Sequence, residues 1–109
     1  VAKPVVGEVV VLHFPQTYLQ PGKRRPALVV ADITGDDLVL CQITSQTRAD
    51  SYSVTLTAAD FEHGGLAVDS FARTNRLFTV EKSVILYTAG KANTPKMAEI
   101  KARIRQLFV

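Results

Sequence analysis

The sequence predicts a small β-rich α+β fold, a barrel of short strands closed by one C-terminal helix. Three observations predict it. Short runs rich in Val, Ile, Leu and Thr recur through the first 88 residues and are cut by Gly, Pro, Asn and Asp. After Pro95 the apolar spacing changes to a helical one, with Met97, Ile100, Ile104, Leu107 and Phe108 on one face. The composition, 47% apolar and 21% charged over 109 residues, is that of one packed domain able to bury a core without disulfide or metal staples. One domain spanning residues 1–109 is the economical reading.

Residues 5–14 open the fold as an extended segment, with Val10, Leu12 and Phe14 on one face and Val9, Val11 and His13 on the other. That pattern fits a strand buried on most of both faces. Pro15 stops it, and Pro21-Gly22 turns a polar loop that ends in Lys23-Arg24-Arg25. A second strand runs over 26–32, Thr34-Gly35-Asp36-Asp37 makes a hairpin turn, and a third strand covers 38–44. The polar stretch 45–51 is a loop before a short strand at 52–56. Thr57-Ala-Ala-Asp60 reads as a helical turn with Thr57 as N-cap and Asp60 in the capping-box position, ended by His63-Gly64-Gly65. Segments 66–74 and 82–88 supply two more strands joined through 77–80, giving five or six in all, a number suited to a small barrel. The last helix starts with Thr94 before Pro95 at its first helical position.

Composition excludes several classes. No apolar run approaches the roughly 20 residues that cross a bilayer, which predicts no membrane association. No basic segment followed by an apolar core opens the chain, so no signal peptide is expected, although Val1 in place of Met points to a trimmed start. The lone Cys41 lies in the apolar run Leu38-Val39-Leu40-Cys41 and reads as a small buried hydrophobe, consistent with a reducing cytoplasm. Thirteen Lys and Arg against ten acids give a net charge of +3, a modest bias compatible with a polyanionic partner. Lys23-Arg24-Arg25 is the only run of three cations; Lys96, Lys101, Arg103 and Arg105 form a second population near the C-terminus, where the helix face bearing Lys101 and Arg105 reads as solvated surface.

The chain has no Gly-rich phosphate loop, no His and Cys at metal spacing and no nucleophile elbow, so neither a protein-bound metal nor a cofactor is expected. His13 reads as a strand histidine with its needs met and His63 as an exposed turn histidine. What remains is Lys23-Arg24-Arg25-Pro26 at the entrance of one strand and Ile43-Thr44-Ser45-Gln46 at the exit of the next. Antiparallel pairing through the 34–37 hairpin brings both to one end of the sheet. A guanidinium beside hydroxyl donors suits a phosphodiester, because its planar fork binds two phosphate oxygens and stabilises the added charge of a pentavalent transition state. From residues alone, a solvated basic loop is an equal reading.

These residues resemble the signature of the MazF/PemK toxin family, in order, across nearly the whole chain. Gly7-Glu-Val-Val-Val-Leu-His-Phe-Pro15 is similar to its first strand, Lys23-Arg-Arg-Pro-Ala-Leu-Val-Val30 to its Arg-Pro strand and Gln42-Ile-Thr-Ser45 to its Thr-Ser segment. Asp60-Phe61, Gly64-Gly-Leu66, Ser70-Phe-Ala-Arg-Thr-Asn75, Leu77-Phe-Thr79 and Gly90 resemble the PemK-like branch in particular. The resemblance implies a Greek-key barrel of the Src-homology-3-like, CcdB/MazF/PemK type with a C-terminal helix. It also implies a type II toxin that arrests growth as an mRNA interferase, a homodimer that cuts single-stranded RNA at short sequences without metal. An antitoxin with an acidic, flexible tail normally blocks the groove. By position, Arg25 takes the place of the catalytic arginine and Thr44 that of the catalytic threonine. Arg24, Ser45 and Gln46 flank the pair, and Arg73 and Asn75 fall in another family-like stretch, so these five are candidate RNA ligands.

The implied reaction is transesterification by the ribose 2′-hydroxyl, which DNA lacks. Arginine is an electrostatic catalyst and too basic to act as a general base, and no base with a pKa near 7 is evident. The chain departs from the family pattern in having no Trp, with His13 and Phe14 where many relatives carry one, and in a 15–22 loop short of acidic and glycine residues. Both departures leave Arg25 and Thr44 in place. Two rival readings share the barrel. One is a CcdB-like toxin that poisons gyrase by binding, which differs around the Arg-Pro strand and acts through C-terminal residues not recognised in 105–109. The other is an RNA-binding module without turnover, against which stand the retained Arg25 and Thr44 and aromatic residues at core-like positions.

Overall fold

The computed structural model describes residues 3–14, 23–47 and 49–109, so the loop expected at 15–22 and Arg48 lie outside the described residues. Seven strands, β1 (Glu8–His13), β2 (Arg24–Asp32), β3 (Asp37–Thr44), β4 (Ser53–Leu56), β5 (Phe61–Gly64), β6 (Ser70–Glu81) and β7 (Ile85–Ala92), precede one helix, α1 (Thr94–Arg105). They form a single antiparallel sheet in the order β4-β6-β3-β2-β1-β7-β5, curled into a half-barrel. No helix among the described residues is long and apolar enough to cross a membrane.

Alternation along the central strands builds two cores. Val9 of β1, Leu28 of β2 and Cys41 and Ile43 of β3 face one cluster, completed by Val54, Leu56, Ala72, Ala92 and the helix residues Met97 and Ile100. Their immediate neighbours Val10, Leu12, Ala27, Val29, Leu38 and Leu40 face a second cluster across the sheet. A strand with both faces covered reads as an unbroken apolar run, as β1 and β2 do. The second cluster is closed by partly buried Val80, Ile85 and the edge-to-face pair Phe14 and Phe78, whose ring centroids are 5.0 Å apart. Ile100 is fully buried beneath α1. Ile100→Ala therefore lowers stability by about 3 kcal/mol, as large-to-small changes in tight cores do, read from urea unfolding midpoints.

The expected hairpin, the third strand and the Thr57 turn are present. The Asp60 carboxylate accepts hydrogen bonds from the Thr57 backbone N–H at 2.8 Å and its hydroxyl at 3.2 Å. Other expectations need correction. His63-Gly64-Gly65 does not simply end that turn, because Phe61–Gly64 is a strand paired with β7. The 66–74 and 77–80 segments are one 12-residue strand, β6, that begins only at Ser70; a register slip between Cys41 and Gln42 lets β6 pair along all of β3. Residues 82–84 form a 3₁₀ turn, and β7 starts at Ile85. The cap of α1 is Asn93, whose Oδ1 accepts from the Lys96 N–H at 2.9 Å, one residue earlier than the Thr94 expected. Phe108 lies off the buried face of the helix and is 78% exposed, because the chain tightens to a 3₁₀ turn after Arg105.

Cys41 is buried and its thiol donates to the Arg73 carbonyl at 3.0 Å; burial pushes it up from the ordinary 9.0 to about 12. A thiol of that kind stays protonated and unreactive. The native protein is expected to resist alkylation by iodoacetamide at pH 8 and to label fully in denaturant, as mass spectrometry would read. Because folding favours the protonated thiol, stability falls as pH rises through the window from 9 toward 12.

Candidate functional site

The β2–β3 hairpin sets the site. Ala27 faces Gln42 and Leu28 faces Cys41, and the same register continued two residues puts Arg25 opposite Thr44. Pairing of β2 with β3 stops at Ala27, next to Pro26, which has no N–H to give a ladder. On its other side β2 stays paired with β1 down to His13 opposite Arg24. The strands thus part on one side only, where Arg24, Arg25, Thr44 and Ser45 stand.

A groove of about 350 Å³ opens at this point, lined at the β2–β3 ends by Arg24, Arg25, Pro26, Ile43, Thr44 and Ser45. Its floor is a cross-strand row in which Pro26 faces Val11 of β1 and Val11 faces Tyr87 of β7. The 65–68 segment, Ser70 and Ala89 complete the lining. A larger hollow of about 550 Å³ lies beside it around the start of β7.

The cationic end of the groove carries charge without a neighbouring carboxylate. Lys3, Lys82, Lys91 and Lys96 each sit within 4 Å of a carboxylate. Among the described residues, exposed Lys23, Arg24 and Arg25 have no such partner, so three positive charges stand uncompensated at one strand entrance. Thr44 is half buried, and its Oγ1 accepts the Gln46 backbone N–H at 3.1 Å. With that lone pair engaged, the hydroxyl proton is left to donate outward. Among the described residues the lining contains no carboxylate and no imidazole, and no three side chains of the His, Cys, Asp or Glu kinds gather as a cation site.

Of the residues singled out in the sequence, the structure brings Arg24, Arg25, Thr44 and Ser45 together. Gln46 reaches the site only through its backbone N–H. Arg73 and Asn75 lie on β6 outside the lining. Arg73 instead acts on Asp50, whose carboxyl lies below its ordinary range. Desolvation works against ionisation there, but the backbone N–H groups of Tyr52 and Ser53, each 2.9 Å from its Oδ1, and the Arg73 charge outweigh it. His63 is exposed on a strand, not in a turn.

Sequence reasoning missed the opposite wall, made by 65–68, Ser70, Tyr87 and Ala89. The available signal was the pair Gly64-Gly65 with Gly90. Gly64 has φ +65°, and a Cβ there would meet the Ala89 carbonyl oxygen at 2.3 Å. Bare backbones touching at this crossing, with the Gly65 N–H donating to the Ala89 carbonyl at 3.2 Å, hold 65–68 beside β7.

Residues 6–108 match the family model for PemK-like, MazF-like toxins of type II toxin–antitoxin systems. The chain belongs to this toxin family. MazF from Deinococcus radiodurans superposes with a TM-score of 0.76 at 25% identity, over 98% of this chain and 97% of that one. In a MazE–MazF structure from the same organism the TM-score is 0.78 at 24% identity, over 98% and 97% of the two chains. An endoribonuclease in complex with its cognate antitoxin, from a mycobacterial species, gives 0.76 at 16% identity over 96% and 94%. Comparison with curated protein sequences yields no match, so the family pattern and the fold carry the relation. The half-barrel with a C-terminal helix is thus the MazF fold.

Proposed function

We propose that this MazF-like toxin, acting as one domain over residues 1–109, is a metal-independent endoribonuclease that cuts single-stranded RNA at short sequences. The observation that carries the reading is the groove that joins the uncompensated Arg24 and Arg25 to a Thr44 hydroxyl already oriented by Gln46. Family membership and the endoribonuclease names of fold relatives support it.

The 2′-hydroxyl of the nucleotide before the cut gives its proton to solvent and attacks its own phosphorus, and the bond to the 5′-oxygen breaks as that oxygen takes a proton from water. The products are a 2′,3′-cyclic phosphate and a free 5′-hydroxyl. Arg25 sets its fork on the two non-bridging oxygens and stabilises the phosphorane charge. Thr44 donates its hydroxyl proton to the scissile phosphate and fixes it for in-line attack. Arg24, with Ser45, holds neighbouring phosphates, a positioning contact without sequence information. Arg73 and Asn75 fall outside this part of the path.

Among the described residues the lining holds no histidine and no carboxylate. The rate is therefore expected to rise with pH without the bell shape that a histidine or carboxylate pair produces; single-turnover rates across pH 5–9 test this. In the cell the toxin acts on mRNA in the cytoplasm as a homodimer, and a cognate antitoxin with an acidic segment neutralises the cationic groove, in keeping with the antitoxin complexes of its fold relatives.

The test is incubation with a long, weakly structured RNA in excess EDTA, with the fragment ends mapped. Discrete cuts bearing 2′,3′-cyclic phosphate and 5′-hydroxyl ends are the expected result. Intact RNA over varied sequences would replace this reading with a toxin that acts by binding.

A further inference from the structure

β7 is built irregularly where it borders the groove. Opposite β1, Gly90 faces Val9, Thr88 faces Val10, Tyr87 faces Val11 and Ile85 faces Leu12, so Ala89 and Leu86 are extra residues. Two bulges thus bracket Tyr87-Thr88, and a bulge re-aims the side chains beside it. Leu86, Tyr87 and Thr88 are all exposed in succession, with Tyr87 at 52% and Leu86 at 44%. β5 pairs only with the second half of β7, through Gly64 opposite Gly90. Among the described residues the first half is therefore an open edge, but its bulges spoil the even spacing that an added strand needs.

The hollow of about 550 Å³ at this edge is lined by Pro4, Lys82, Ser83, Ile85, Leu86, Tyr87 and Thr88. Tyr87 lines this hollow and the Arg25–Thr44 groove alike, so it stands where the two meet. The lining combines apolar side chains, three hydroxyls (Ser83, Tyr87 and Thr88) and one ammonium. Ser83 donates to Glu81 at 3.0 Å, which leaves its oxygen as an acceptor, and Lys82 is held only by a surface ion pair to Asp36 at 3.6 Å. An apolar plate with hydrogen-bonding groups at its edge and a cation at its rim is the complement of a nucleotide, and its size suits a small ligand.

We infer that Tyr87 is a stacking platform between two nucleotide subsites, and that the hollow beyond it takes a base of the same RNA strand, flanking the cut. This rests on the ribonuclease reading above. Tyr87 then contributes to target choice without touching the scissile phosphate.

The test uses synthetic single-stranded RNAs that carry the mapped cut site, one minimal and two extended by two nucleotides on the 5′ or the 3′ side. One extension should raise kcat/KM of the wild-type protein by about tenfold or more, the worth of a stacked base. Tyr87→Phe should keep that gain, while Tyr87→Ala and Leu86→Glu lose it. Both positions are exposed, and circular dichroism checks the fold. A gain that survives in Tyr87→Ala and Leu86→Glu overturns the inference, as does a wild-type protein indifferent to either extension. If Leu86→Glu leaves the gain but alters the sedimentation of the native assembly, the hollow belongs to a second copy of the chain and the inference fails. Should the wild-type protein cut no RNA, the ribonuclease reading falls. Anisotropy of unstructured RNAs of varied sequence, each in a short form and a form two nucleotides longer, then decides the hollow alone: tighter binding of the longer form, lost in both variants, upholds it, and anything else overturns it.

Discussion

Arg25→Ala is expected to slow RNA cleavage by about 100- to 1,000-fold in single-turnover kcat, the usual cost of removing one preorganised donor from a developing oxyanion. Two features make Arg25 the residue for that loss. It lines the same groove as Thr44, and among the described residues no carboxylate pairs with it, so its charge is left to the groove. Arg25→Lys should recover only a small part of the rate, because an ammonium keeps the charge but not the two-pronged fork. Arg25 is exposed, so the variants should fold and melt like the parent. Arg24→Ala provides the contrast: a phosphate-positioning residue should weaken binding evenly across sequences and lower the salt slope by about one, with little change in kcat. A fully active Arg25→Ala protein would remove the electrostatic account of the site.

Gly90→Ala should be among the most destabilising single-methyl changes in the chain. A Cβ at Gly90 would lie 2.6 Å from the Gly65 nitrogen and 2.7 Å from the His63 carbonyl oxygen, and both are backbone atoms that cannot swing aside. Overpacking of this kind costs about 3 kcal/mol, which at the scale of a small domain lowers Tm by roughly 10–20 °C. Gly35→Ala separates clash from strain. Gly35 has φ +74° but nothing within 4 Å of an added Cβ, so only the left-handed backbone penalty of about 1 kcal/mol applies. Gly90→Ala should also push residues 65–68 away from β7 and reduce cleavage below what its folded fraction allows. Equal melting temperatures for the two variants would show that the crossing can relax.

Much of this was legible in residue order. The apolar runs of β1 to β3 announced themselves because both faces are buried, and the 34–37 turn fixed a register that brought Arg25 and Thr44 together. β5 was not legible, because Phe-Glu-His-Gly has no alternation and its place comes from the contact of Gly64 with Gly90. The start of β6 was misread for a related reason: Leu66, Ala67 and Val68 look like a strand, yet they serve as a wall of the groove. Asn93 and Thr94 are both good caps, and only the bond from the Lys96 N–H to Asn93 distinguishes them. Tyr87 stayed hidden because bulges leave no trace in a single sequence.

The strand order has a consequence for how the toxin comes into being. β1 pairs with β7, the first and last of the seven strands in sequence order, and the groove is lined by Tyr87 and Ala89 as well as Arg25 and Thr44. Contacts so distant in sequence form late, because chain closure must be met before they stabilise anything. A ribosome-bound fragment ending before β7 therefore carries the arginine and the threonine but has no second wall to hold RNA against them. On the proposed reading, cleavage activity therefore waits for β7 to be made and to join the sheet, and does not come with the arginine and the threonine alone.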